Sequence, residues 1–204
     1  EAERRLPHVD ADPDRIGQVL ANLIGNAIKY GPIDAPIRIV LTNAFGTSPL
    51  VVGSTHVALR EKAAAIKAGT DRGVMFEGRP NVTIPAGAVA ISDPVSLSVP
   101  NFADLAVSMH VPEATGSSPA TLHTLGLQTN YVTASGNQVS APDLPGAATS
   151  QNWFYLARVE VATTGPAGAL VTLGDSITDG TRSTPDTNNR WPNHFAKRLS
   201  VQGV

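Results

Sequence analysis

Covalent catalysis by a side chain needs an attacking atom, a base to take its proton and a group to orient the base. The chain contains no cysteine, so thiolate chemistry is excluded and oxygen nucleophiles remain. The stretch GALVTLGDSITDG, Gly168 to Gly180, sets Ser176 between Asp175 and Asp179 directly after an apolar run. G-D-S alone is an ordinary turn. In the longer string Gly174 lets the backbone bend and Asp179-Gly180 closes the turn. Ser176 is thereby expected at the carboxyl end of a parallel strand, where α/β sheets present side chains to ligands. The histidines are His8, His56, His110, His123 and His194. His194 is nearest to Ser176 in sequence, with Asp175, Asp179 and Asp186 as candidate orienters. The other four are expected to be surface or hydrogen-bonded structural residues.

Other chemistries find little footing. The histidines are scattered, without H-x-x-x-H or paired-carboxylate spacing, so no metal site is expected. Phosphate cradles of the GxGxxG or GxxxxGK[ST] type do not occur, and no cofactor is expected. A net charge of -2 and a pI near 6.2, spread over interspersed charges, argue against nucleic acid and anionic membrane surfaces as partners. No run approaches the length of a membrane-spanning helix, and the opening EAERRLPHVD has neither a Met nor an apolar signal core. Glu1 is expected to follow processing or an upstream cut, and no compartment is assigned.

The elements that must carry these residues change character along the chain. At 204 residues and 42% apolar content, the length suffices for one real core. In DPDRIGQVLANLIGNAIKY, Ile16, Val19, Leu20, Leu23, Ile24, Ala27 and Ile28 recur at helical spacing, with Pro13 early and Gly31-Pro32 as the stop. From Ile37 to about Val161 the period becomes two, in IRIVLTNAFG, LVVGSTHVAL, NVTIPAGAVAISD, VSLSVP, DLAVSMHVP and YLARVEVA. Gly, Pro, Asn, Asp and Ser separate these runs, which predicts a many-stranded antiparallel sandwich of jelly-roll type. Phe45, Phe76, Tyr131, Trp153, Phe154 and Tyr155 fit a core or a sugar-stacking platform equally. Ala169 to Leu173 is expected as a strand covered on both faces. WPNHFAKRLS should open a helix with Pro192 in its first turn and Phe195 and Leu199 on one side.

GDSITDG, followed by STPDTNNRWPNHFAKRL, resembles the first sequence block of the GDSL or SGNH hydrolases. The upstream RIVLTNAFGTSPLVVGSTHVAL, GTDRGVMFEGRPNVTIPAGAVAISDPVSL, ADLAVSMHVPEATG and LQTNYV resemble the β-sandwich that precedes the hydrolase domain in one bacterial group, often secreted. The resemblance implies that Ser176 is the nucleophile for a small acyl ester or an acylated carbohydrate, with its own N–H as one oxyanion donor. The family's D-x-x-H block, which carries its Asp and His, is absent from the chain. A weak or inactive, truncated esterase is therefore expected.

A second resemblance precedes it. DPDRIGQVLANLIGNAIKYGP is similar to the N-box helix of sensor histidine kinases, where an Asn, here Asn26, helps hold the magnesium-bound phosphates. The glycine-rich blocks of that family do not follow, so a packing helix is expected rather than a nucleotide site. The fold read from the whole is mainly β, with three parts: a kinase-like helical fragment over residues 1–35, a jelly-roll-like sandwich over 36–163, and the first strand-turn-helix unit of a flavodoxin-like SGNH domain over 164–204. The join suggests a chimaera, and the incomplete α/β unit predicts self-association into a homo-oligomer. Two alternatives to the esterase stay open: a noncatalytic sandwich that binds glycan, and a chimaeric product without function.

Overall fold

The computed structural model describes residues 36–113, 117–134, 136–162 and 171–201. The N-terminal fragment 1–35, with its expected helix, Asn26 and His8, lies outside them.

The described chain is mainly β and sandwich-like, built from several small antiparallel sheets. Strand β1 (Ile37–Thr42) shows how the sequence dictates this. Its β-branched and Leu residues suit a pleated surface, and Ile37, Ile39 and Leu41 are sealed from solvent while Arg38 points outward. It lies between β13 (Leu156–Val161) and β7 (Val89–Ile91), pairing Ile37 with Val161 and Val40 with Ile91. A second sheet centres on β3 (Ser54–Lys62). One edge of β3 pairs with β8 (Leu105–His110) from Ser54–His110 to Leu59–Leu105; the other pairs with β5 (Arg72–Val74) and β4 (Ala65–Ile66). Strands β2 (Leu50–Val52) and β6 (Val82–Ile84) form a ribbon of their own.

Side chains from all of these meet in one core. Ile37, Ile39 and Leu41 of the first sheet join Val57 and Val74 of the second, with Leu50, Val52, Ile84, Phe76 and Tyr155. Each such side chain contributes roughly 1.5–3 kcal/mol through removal from water. Phe76 and Tyr155 thus belong to the core, whereas Phe45 is largely exposed. The VSLSVP run keeps its alternation, burying Val95 and Leu97, yet it forms an isolated bridge between Val95 and Ile37 rather than a strand.

Two ribbons at one end position the site. Strand β9 (Leu122–His123) pairs with β12 (Trp153–Phe154), and β10 (Asn130–Val132) pairs with β11 (Ala148–Ser150). Onto the loop between β9 and β10 docks the C-terminal segment, which holds helices α1 (Ser176–Asp179) and α2 (Trp191–Val201).

The expected flavodoxin-like unit is corrected in its first element. Of Ala169 to Leu173, the described residues 171–173 form no strand, and Val171 and Leu173 are 69% and 74% exposed. A parallel strand needs paired neighbours on its edges, and none of the described strands pairs with these residues. Helix α2 forms as expected, but it buries Pro192, Asn193 and Ala196 rather than Phe195, which is 39% exposed.

Candidate active site

The turn at Ser176 is set by local chemistry. Asp175 is the N-cap of α1, its Oδ1 accepting from Ile177 N–H at 2.9 Å. Gly180 ends the helix in the left-handed region at φ 95°, and its N–H returns to Ile177 O at 3.1 Å. This is the residue that the C′ position favours. Thr181 N–H closes on Ser176 O at 2.8 Å. Ser176 is exposed, and its Oγ makes no hydrogen bond among the described residues.

Asp179 faces the same turn and is engaged from the sandwich. Its Oδ2 lies 3.0 Å from Nε2 of His123 on β9, with both side chains about four-fifths buried. A carboxylate can only accept, so Nε2 carries the proton and the lone pair of neutral His123 sits on Nδ1. The His123 ring meets Trp153 edge-on at 5.9 Å between centroids, which fixes its plane. Gly126 makes room for that indole, because a Cβ there would lie 2.9 Å from Trp153 Cδ1. Arg190 completes the cluster by donating from Nε to Asp179 O and from its terminal nitrogen to Gly126 O.

The loop between α1 and α2 is held down separately. Thr129 donates to Asp186 from its N–H at 2.7 Å and from Oγ1 at 2.6 Å, and Asp186 N–H reaches Leu127 O at 3.0 Å. Desolvation pushes the Asp186 pKa up, but the two Thr129 hydrogen bonds and the charge of Arg60 outweigh it and hold the carboxyl below its ordinary 3.8. Next to it Asn188 bridges Gln128 Nε2 and Asp104 Oδ1, and Asp104 also takes Arg60 at 3.1 Å.

The expected orienters do not gather on His194. Asp175 caps a helix, Asp179 holds His123 and Asp186 holds Thr129, while His194 Nε2 meets Asn189 Oδ1. The histidine bonded to the Ser176 turn is His123, for which the sequence suggests a structural place alone. Its partner lies 56 residues away, and no local pattern marks it. Of the remaining histidines, His56 pairs with Asp71 at 2.9 Å on the sheet and His110 ends β8. Among the described residues there is no cluster of three or more metal-binding side chains.

No family model matches the chain. Among curated proteins it is similar to the adaptive-response sensory kinase SasA of Synechococcus sp. (strain JA-2-3B'a(2-13)), 59% identical over 34 residues, or 17% of this chain. The chain spans 9% of the length of that kinase. These findings overturn the expected membership in the GDSL or SGNH hydrolases, since no such family matches and the similarity found is to a sensory kinase. The strings that carried the resemblance are rich in Gly, Asp, Ser and Pro, which serve any tight turn, and the described residues 171–173 that lead into them form no strand.

Proposed function

We propose that the chain is a serine carboxylic ester hydrolase acting on small acyl esters, with Ser176 as nucleophile, His123 as general base and Asp179 as the residue that orients it. The observation that carries this reading is the His123 to Asp179 hydrogen bond at 3.0 Å on the helix that begins with Ser176. Residues three apart on a helix have Cβ atoms about 5–6 Å from each other. An imidazole with a hydrogen bond of about 3 Å on each ring nitrogen spans that gap. His123 can therefore serve Asp179 through Nε2 and Ser176 through Nδ1. Catalytic hydrogen bonds often tighten only when substrate binds, which accounts for the unbonded Ser176 Oγ.

In the reaction Ser176 Oγ attacks the ester carbonyl carbon as its proton passes to His123 Nδ1. The tetrahedral intermediate collapses, the C–O bond to the alcohol breaks, and the alkoxide takes the proton from Nδ1. Water then attacks acyl-Ser176, giving its proton to Nδ1, and the acid departs as Ser176 is reprotonated. Asp179 stays ionised and stabilises the imidazolium.

A second reading rests on the unbonded Ser176 Oγ itself: the His123 to Asp179 pair is a tie between turn and sandwich, and the domain is noncatalytic. Hydrolysis of p-nitrophenyl acetate and butyrate by the chain and by Ser176→Ala separates the two. Activity lost in the variant supports the hydrolase, and equal rates at the buffer level support the tie.

A further inference from the structure

We propose that Arg190 is a positioning residue for the Ser176 site: its guanidinium clamps the end of α1 to the loop that follows His123 and so holds Asp179 on Nε2. This rests on the assignment of Ser176 and His123 above.

The contacts form a closed ring. The Asp179 side chain holds His123, the Asp179 carbonyl accepts from Arg190 Nε at 2.5 Å, and Arg190 donates onward to the Gly126 carbonyl. Gly126 follows His123 by three residues, so the ring returns to its start. Two of the links join distant chain, across 56 and 64 residues, and the third spans 11 residues within the C-terminal segment. Removing either Arg190 link leaves Asp179 and His123 joined by their side chains alone.

Space for the clamp is made by two residues without side chains. A Cβ at Gly180 would lie 2.4 Å from Arg190 Cγ, and one at Gly126 would strike Trp153, the ring that abuts His123. The half-buried guanidinium loses hydration, which lowers its pKa from the ordinary arginine value against the raising influence of Asp179. A planar fork can meet two carbonyls at fixed angles, whereas an ammonium on a flexible stem cannot reproduce that geometry. The Arg190 backbone meanwhile accepts Asn193 N–H at 3.0 Å as α2 begins, so substitution of the side chain leaves the helix start intact.

The test uses the 204-residue chain with nitrogen-15 histidine, comparing wild type with Arg190→Met and Arg190→Lys. Imidazole nitrogen shifts report the His123 tautomer, and the rate of fluorophosphonate labelling of Ser176 reports its activation. The expected result is an Nε2–H tautomer in wild type, a mixed population in both variants and labelling slower by on the order of a hundredfold, the scale set by a small misplacement of reacting groups. Millimolar guanidinium should restore Arg190→Ala in part, which a general loss of stability would not allow. Should Arg190→Met fail to fold, Gly180→Ala displaces the side chain without deleting it and is expected to give the same two changes. An unchanged tautomer in a folded variant overturns the clamp. Wild type that never labels overturns the hydrolase reading instead, and the tautomer comparison then decides the clamp by itself.

Discussion

His123 Nε2 on β9 meets Asp179 Oδ2 on α1 at 3.0 Å across 56 residues of chain. That bond ties the sandwich to the C-terminal turn, and under the proposed function it joins a base from a strand pair to a nucleophile on a capped helical turn. Hydrogen bonds to charged groups contribute roughly 1.5–3 kcal/mol, and the partial exposure of this pair places it at the lower end.

Asp179→Asn should separate orientation from packing. The amide can donate to Nε2 and so admits the wrong tautomer of His123. Hydrolysis of p-nitrophenyl acetate is expected to fall by on the order of 10³-fold or more, with a melting temperature close to that of wild type. A kcat that matches wild type would remove Asp179 from the mechanism.

His194→Ala should leave the same activity within about twofold, since surface changes away from a site have little effect and His194 is engaged by Asn189. A loss as large as that of His123→Ala would restore the pairing expected from sequence proximity.

Asp186 supplies a pH dependence. Its folded pKa is depressed below 3.8, so its contribution is fully present above the unfolded value and is lost as pH falls through the folded one. Hydrogen exchange at Thr129 N–H, which Asp186 accepts at 2.7 Å, is expected to accelerate below that window. Asp186→Asn should weaken the dependence. Exchange that stays flat in wild type from neutral pH to below the window would contradict the assignment.

Two leucines test the fold directly. Leu41 is fully buried and Leu173 is 74% exposed. Leu41→Ala should cost about 2–5 kcal/mol in chemical denaturation, and Leu173→Ala no more than about 0.5 kcal/mol. Equal costs would mean that residues 171–173 pack as the covered strand their composition suggests.

The sandwich was legible because its signal is local. Alternation in IRIVLT or LAVSMH places side chains on two faces whatever lies across the core, and both runs form strands, with Ile37, Ile39 and Leu41 of one and Leu105, Val107 and Met109 of the other packed in or against the core. The apolar run ALVTL predicts a strand that residues 171–173 do not form, because an apolar run becomes a strand only where a free edge receives it. The site was half legible: Asp175, Ser176 and Gly180 form a turn that their own side chains specify. His123 was not, since its role depends on a loop returning beside a turn 56 residues later. His194 drew attention through sequence proximity, which says nothing about where an exposed helical side chain sits.

The most direct measurement of the central claim is mass-spectrometric mapping of a fluorophosphonate adduct on wild type and on His123→Ala. Attack by Ser176 Oγ forms a P–O bond and expels fluoride, with the serine proton passing to His123. The account predicts an adduct on Ser176 in wild type and its loss in His123→Ala. An unmodified Ser176, or an adduct that forms equally well without His123, would contradict it.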